Sequence, residues 1–395
     1  MLSPARASGT RPSRSVATGH VLGVHVARAL ALLGMLAVHL GPTGSEGLLG
    51  RLYAIPHGRA SLLFVLVAGI GVSLLARSPR ADGRTIGATL LWRATILLPL
   101  GLLLQPLDHG VNVILAQYAV LFLVALPALL LPDRGLLTAA VTVGVLGPAA
   151  ILWGQITRPS VFTRDAVLWG EPLGDLLHGL VLSGPYPLVT WTAPLLLGMW
   201  LGRQDLRAPA FVRRLVFVGG AFALAAVATS HLLVAVLGAP SGPTSLDRLV
   251  ISAAHSQMPL WLVGGTAAAV AVLGASLWLA ERAPLLVQPL VATGTLAFTI
   301  YVGHLIVLAV AGAAFVSDEV LPAAATMLGV TAVLSTGSIL WTANVGRGPL
   351  ERLLRPPRWL TGAAQPSSRR SRIMATPSGT EPSRISSSAG TDARV

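Results

Sequence analysis

Two residues in the first long apolar run have types and spacing that could support chemistry. Arg28 and His39 stand eleven residues apart within the run Val21 to Gly41. Eleven residues make about three helical turns, so both side chains project from one helix face, roughly 16 Å apart along the axis. An arginine inside a membrane span is costly and by default marks a functional site. The pair therefore predicts a membrane-embedded site in which Arg binds an anion and His transfers a proton.

The composition places these residues in an integral membrane protein. Of the 395 residues, 53% are hydrophobic and 11% are charged, whereas about 25% of a soluble domain is charged. All 28 cationic residues are Arg, which indicates a GC-rich bacterial coding bias. Much of the net charge of +13 lies in the tails and on one side, so topology explains it without a nucleic-acid partner. Without Cys there is no disulfide, thiol nucleophile or Cys-based metal site, and no metal is predicted.

The apolar runs predict an all-α, polytopic transmembrane helix bundle of about ten spans. Their approximate bounds are 21–41, 58–76, 87–104, 111–131, 135–153, 186–202, 212–237, 257–280, 289–315 and 320–342. If the N-terminus is cytoplasmic, the even-numbered connections are cytoplasmic too, and these connections are rich in Arg. The bias predicts a multi-pass protein of the bacterial cell membrane with both termini in the cytoplasm. The run Leu173 to Leu182 is too short to span and is expected to be interfacial or re-entrant.

Three segments follow from this pattern. Residues 1–20 form a basic cytoplasmic tail, residues 21–355 form the transmembrane domain, and residues 356–395 are Ser-, Arg-, Pro- and Thr-rich and are expected to be disordered. The basic N-terminus resembles a signal peptide. Because the first apolar run is long and no clear cleavage site follows it, we expect a retained signal anchor.

On this topology the candidate bases and cations lie toward opposite sides of the membrane. His39, His57 and His255 fall at the outer ends of spans, whereas Arg28 and Arg93 lie toward the cytoplasmic ends. Histidine is the usual general base near neutral pH, and Arg is favoured for phosphate. This separation suits an enzyme whose anionic donor enters from the cytoplasm and whose acceptor lies on the outer side of the membrane.

The order of these motifs resembles two families of membrane acyltransferases. The segment from Arg28 to His39 resembles the Arg, ten residues, His motif in the first span of the acyltransferase-3 family. The longer pattern is similar to bacterial relatives of heparan-α-glucosaminide N-acetyltransferase. The segments that carry this second resemblance are Val24–Gly34, His57–Phe64 with Ala68–Gly69, His255–Ser256, Leu296–Tyr301 with His304, and Gly348–Glu351. Together they are scattered over most of residues 21–355.

The resemblance implies transfer of an acyl group, most simply acetyl, from cytoplasmic acyl-CoA to an extracytoplasmic acceptor. Acetyl-CoA would be a co-substrate rather than a bound cofactor, and the acceptor would be an envelope glycan or a lipid-linked molecule. It implies that His39 or His57 is the catalytic residue, as a base or a transient acyl carrier, and both remain open. Arg28 and Arg93 would hold the CoA phosphates or the thioester carbonyl.

Three residues near the outer ends of spans are candidates for binding the acceptor. Arg59 begins the second span beside His57, and His255 with Ser256 opens the eighth. None of these assignments excludes simpler roles. The Arg28 side chain could extend to the surface of the membrane, and a His at the outer end of a span often only exposes its polar edge to water. Two other classes therefore stay open. One is a transporter or flippase for an anionic substrate with a His proton relay, and the other is a non-catalytic membrane protein.

Overall fold

The computed structural model describes residues 14–42, 44, 46–78, 82–242 and 245–361, with side chains from residue 22 onward. Its first eight helices are α1 (Arg14–Leu40), α2 (Gly47–Tyr53), α3 (Arg59–Ala76), α4 (Gly83–Leu104), α5 (Leu115–Ala128), α6 (Asp133–Thr157), α7 (Leu173–Val181) and α8 (Leu188–Leu201). The next seven are α9 (Pro209–Leu237), α10 (Pro259–Arg282), α11 (Gln288–Thr295), α12 (Ala297–Phe315), α13 (Val320–Asn344), α14 (Pro349–Leu353) and α15 (Arg358–Thr361). A 3₁₀-helix, Leu246–Val250, precedes α10, and no strand occurs in the described residues.

This architecture confirms the all-α, polytopic helical bundle. Among the described residues, eight helices are long and apolar enough to cross a membrane, and α5 and α8 are shorter apolar helices. Each of these ten helices overlaps one predicted span, although several bounds differ. The segment predicted as too short to span forms the nine-residue helix α7. Most of the predicted C-terminal tail and the first 13 residues of the N-terminal tail lie outside the described residues, and α1 already begins at Arg14.

One predicted span is two helices in the structure. The run 289–315 divides at Leu296, where α11 ends and α12 begins. The carboxylate of Glu351 accepts hydrogen bonds from the backbone N–H groups of Phe298 (2.8 Å) and Thr299 (3.0 Å). These are N–H groups that the first turn of a helix leaves without a partner. A cap supplied by a distant residue therefore stabilises the start of a new helix within a continuous apolar run.

The fourth predicted span begins later than its apolar residues indicate. Residues 111–114 are not helical, because side chains bind their backbone N–H groups. Val113 donates to Gln105 Oε1 at 2.7 Å, and Ile114 donates to the hydroxyl oxygen of Tyr301 at 3.3 Å. Helix α5 starts only at Leu115, so Tyr301 on α12 contacts its N-terminal end.

Helices α1, α3 and α10 form the centre of the bundle, and α9 and α13 lie at its periphery. Many large apolar side chains of the peripheral helices are exposed, as expected for surfaces that face lipid. Helices α3 and α8 approach closely at Gly69 and Gly198. A Cβ at Gly69 would lie 2.2 Å from the Leu195 carbonyl oxygen, and one at Gly198 would lie 2.1 Å from that of Leu66. Small residues of this kind let membrane helices pack backbone to backbone.

Several Arg-bearing helix ends are joined at one end of the bundle. Arg77, after α3, donates to the carbonyl oxygens of Gly202 (3.2 Å) and Arg203 (3.0 Å). Arg203 in turn donates to Leu129 and forms an ion pair with Asp133 at 3.2 Å. We call this side, which also bears Arg213, Arg214, Arg282, Arg347 and Arg355, the arginine-rich end.

Candidate functional site

A cavity of about 500 Å³ lies between α1, α3, α4, α5, α11, α12 and α14 toward the arginine-rich end. The charged residues and histidine in its lining are His25, Arg28, Arg93, Arg347, Glu351 and Arg355. Arg28 and Arg93 come from α1 and α4, so the structure brings together the two residues predicted to hold an anionic donor. We call this space the arginine cavity.

Among the described residues, no acidic side chain lies within hydrogen-bonding distance of the Arg28 or Arg93 guanidinium. In the part of the chain that the structure describes, the Arg28 guanidinium has one side-chain hydrogen bond, from its Nη1 to His25 Nδ1 at 3.5 Å. The Arg93 guanidinium carbon lies 5.7 Å from the centre of the Phe122 ring, and its buried Nε has no hydrogen-bond partner among the described residues. Arginine heads inside a membrane protein are expected to be paired or to face a polar ligand. The missing partners therefore favour an anion in this cavity.

Glu351 supplies the single carboxylate among the described residues of the lining, and both of its oxygens accept hydrogen bonds. Besides the two backbone N–H groups of α12, it accepts a hydrogen bond of 2.5 Å from the Thr299 hydroxyl. It thus satisfies the positive end of a helix rather than pairing directly with an arginine. Four guanidinium groups remain against one carboxylate, and the cavity carries an excess of positive charge.

Aromatic side chains close the arginine cavity on the side away from the arginine-rich end. Phe64 and Tyr118 line it, with ring centres 5.5 Å apart, and Tyr301 stacks behind Phe64 at 6.5 Å. The hydroxyl of Tyr118 is buried without a hydrogen-bond partner in the described part of the chain. We call Phe64, Tyr118 and Tyr301 the aromatic layer.

A pair of histidines lies directly beyond the aromatic layer. His39 Nδ1 is 3.1 Å from His304 Nε2, and the two rings are nearly parallel. The His304 ring contacts Tyr301 edge-on at 5.1 Å, while its Nδ1 is buried and has no partner among the described residues. One nitrogen of the contact must donate and the other accept, so the pair can share a proton. His39 and Arg28, three helical turns apart on α1, therefore lie on opposite sides of the aromatic layer.

His57 and His255 form a second cluster near the same side as His39. Their ring centres are 5.7 Å apart, and His255 also contacts Tyr186, Trp191 and Trp261. Burial, followed by the nearby His57 and Arg164, lowers the pKa of His255 to about 4. Burial and then Arg59 lower the pKa of His57. Both imidazoles are thus held in the neutral form, which can accept a proton.

The remaining predicted substrate residues have largely structural contacts. Ser256 is 2% exposed, its hydroxyl accepts from the Met258 N–H, and its carbonyl accepts from Arg248. Arg59, the first residue of α3, donates to the carbonyl oxygen of Ile55 at 3.0 Å, in the turn that precedes this helix. The structure does not bring either residue into the arginine cavity. In the described part of the chain, His39 packs against His304 and His57 packs against His255, and no ring contact joins the two pairs.

Residues that sequence reasoning did not single out complete the site. His304 and Glu351 stand in the segments of the family resemblance, and Arg347 and Arg355 counted only toward the charge bias. The signals were weak: Tyr301 and His304 are three residues apart on one helix face, and Glu351 is an acidic residue among arginines. Neither feature identifies the residue that it contacts in the fold, because these contacts join residues far apart in the chain.

Comparison with known proteins gives one partial match. Residues 201–361 are similar to a family described as a protein of unknown function (DUF418). No curated protein matches the chain. The matched part contains His255, His304 and Glu351, whereas Arg28, His39 and Arg93 lie before it. The match therefore extends over less than half of the chain and names no activity.

Proposed function

We propose that the protein is an integral membrane acyltransferase that moves an acyl group, most simply acetyl, from cytoplasmic acyl-CoA to an acceptor on the opposite side. The acceptor is an extracytoplasmic saccharide or a related envelope molecule. The observation that carries the proposal is the succession of the arginine cavity, the aromatic layer and the His39–His304 pair across the bundle. In this proposal the arginine-rich end and both termini face the cytoplasm of a bacterial cell.

The arginine cavity supplies the donor site. Coenzyme A carries several phosphate oxygens, and Arg28, Arg93, Arg347 and Arg355 offer charge-assisted donors to them. The partnerless Arg93 Nε and Tyr118 hydroxyl add polar groups that a bound donor can satisfy. The flexible arm of the donor then extends to the aromatic layer, and the rings of this layer must move apart for the thioester to reach the histidine pair.

The His39–His304 pair supplies the base. An acceptor hydroxyl or amine gives its proton to His39 while its oxygen or nitrogen attacks the thioester carbonyl carbon. The carbon–sulfur bond breaks, the acyl group stays on the acceptor, and the CoA sulfur leaves as a thiolate that takes the proton from His39, which returns to its neutral form. His304 shares the positive charge that forms on His39, through their 3.1 Å contact.

The proposal is tested by acetyl transfer in nanodiscs. Radiolabelled acetyl-CoA is supplied with an envelope fraction, and label in glycan and lipid products is counted. We expect His39→Gln and His304→Gln to lower transfer by about 10² to 10⁴, the usual contribution of a general base. His231→Gln is the matched control, because His231 is exposed on the peripheral helix α9. Full transfer in the His39 variant with loss in His57→Gln would assign the base to His57, and full transfer in all variants would refute the proposed chemistry.

One observation favours transport as a second candidate. His304 Nδ1 is buried without a partner in the described residues and sits above a cationic cavity, which is an arrangement suited to a proton relay coupled to anion movement. Flux of radiolabelled CoA or inorganic phosphate into sealed vesicles, without acyl transfer, would support this function. Transfer without flux would exclude it.

A further inference from the structure

A second large cavity lies on the opposite side of the bundle from the chemistry described above. It has a volume of about 570 Å³, lies between α6, α8, α9 and α10, and is lined almost entirely by apolar side chains. It opens beside exposed groups such as Val141, Phe222 and Val263, which face outward from the bundle. We call this cavity the apolar groove.

The dimensions of the apolar groove match one leaflet of a bilayer. On α9 its lining runs from Phe211 to Phe222, about 16 Å along the helix axis. This length is about half of the hydrocarbon thickness of a membrane. The length of the groove therefore suits one extended acyl chain from a single leaflet.

A cation stands at the end of the groove that borders the arginine-rich end. Arg214 lines the groove and is exposed, and it has no ion pair or hydrogen bond among the described residues. Its neighbours at this end differ, because Arg203 is paired with Asp133 and Arg282 lies over the Trp278 ring. An apolar channel one leaflet long with a free guanidinium at its headgroup end has the charge pattern of an anionic lipid.

We propose that the apolar groove binds one acyl chain of an anionic phospholipid from the leaflet next to the arginine-rich end, with the lipid phosphate on Arg214. The apolar lining excludes a polar ligand. The charge at its mouth selects an anionic over a zwitterionic headgroup. This site is independent of the acyltransferase proposal, since it shares no residue with the arginine cavity.

Native mass spectrometry of the delipidated full-length protein tests the headgroup contact. The probes are phosphatidylglycerol and phosphatidylcholine with identical chains, each titrated in mild detergent. We expect one tightly retained phosphatidylglycerol and an affinity for it that falls about tenfold in Arg214→Gln. Arg213→Gln removes the same charge from the adjacent exposed position, which does not line the groove, and should change affinity little. Equal loss in both variants, no loss in either, or equal retention of the two lipids would overturn the proposal.

A second pair of variants tests the acyl-chain position. At Gly144, inside the groove, a new Cβ would meet only the Ala193 Cβ at 3.8 Å, and at Gly220, outside it, nothing lies within 4 Å. Gly144→Leu should therefore weaken the affinity for both lipids at least tenfold, whereas Gly220→Leu should leave it unchanged. Val141→Phe, at an exposed lining position, repeats the test should Gly144→Leu fold poorly. Unchanged retention in the folded groove variant would place the lipid elsewhere.

Discussion

Glu351 stabilises the start of α12, and its charge also opposes binding of an anion in the arginine cavity. Replacing it with Gln should therefore change stability and anion affinity in opposite directions. Its carboxylate accepts three hydrogen bonds from the first turn of α12, at 2.8, 3.0 and 2.5 Å. Charge-assisted hydrogen bonds are about twice as strong as neutral ones. Gln can keep one oxygen for the Phe298 and Thr299 N–H groups, but it loses the charge and turns a donor toward the Thr299 hydroxyl. We expect Glu351→Gln to lower the free energy of unfolding by about 1 to 2 kcal/mol.

The same substitution removes the one carboxylate that the described residues contribute to the lining of the arginine cavity. An anion bound by Arg28 and Arg93 then feels less repulsion, so its affinity should rise while stability falls. Denaturant titration in mixed micelles gives the stability, and binding of radiolabelled acetyl-CoA gives the affinity. Glu319→Gln is the control, because Glu319 is exposed and its side chain does not cap α13. Unchanged stability would refute the capping role, and weaker binding would show that Glu351 contacts the ligand directly.

Two further predictions concern packing and pH. Gly69→Ala should lower the free energy of unfolding by about 1 to 3 kcal/mol, because its Cβ would collide with the Leu195 carbonyl. Gly71→Ala, two residues away with nothing within 4 Å, should be neutral or stabilising by up to about 1 kcal/mol, and urea titrations compare the two. The pKa of His255 lies near 4 in the fold and near 6.5 when unfolded, so stability should be complete above about pH 6.5. Because the unfolded chain binds the proton first, up to about 3 kcal/mol should be lost between pH 6.5 and 4.

Each of these predictions has a clear opposite result. Equal stabilities of the two glycine variants would mean that α3 and α8 do not approach closely at Gly69. The pH dependence is checked by thermal unfolding of the wild-type protein and His255→Gln, which should lose less stability on acidification. The same slope in both proteins would place the acid-sensitive group elsewhere.

The sequence predicts the helical spans well because each is a long apolar run, and a membrane enforces helices there. It cannot predict the break at Leu296, because hydropathy is continuous through the run and the cap comes from Glu351, more than 50 residues later. The late start of α5 is hidden for the same reason, since Tyr301 binds the N–H of Ile114 from another helix.

The candidate site was partly predictable. Arg28 and His39 stand out because charged and titratable residues are rare in apolar runs, and their spacing places them on one face. The partner of His39 could not be read from the chain, because His304 is 265 residues away and looks like an ordinary buried histidine. Likewise, Arg93 is visible as a membrane-embedded cation, but only packing shows that it shares a cavity with Arg28.

Equilibrium binding of radiolabelled acetyl-CoA to the protein in nanodiscs tests the central claim most directly. The proposed donor site predicts saturable binding that weakens about 10- to 100-fold in Arg93→Gln. It also predicts loss of binding in Gly71→Leu, which fills the arginine cavity from a position with nothing within 4 Å. Arg282→Gln, at the arginine-rich end but outside the cavity, should bind as the wild type does. Absence of saturable binding, or equal affinity in all four proteins, would contradict the assignment of the arginine cavity as the acyl-CoA site.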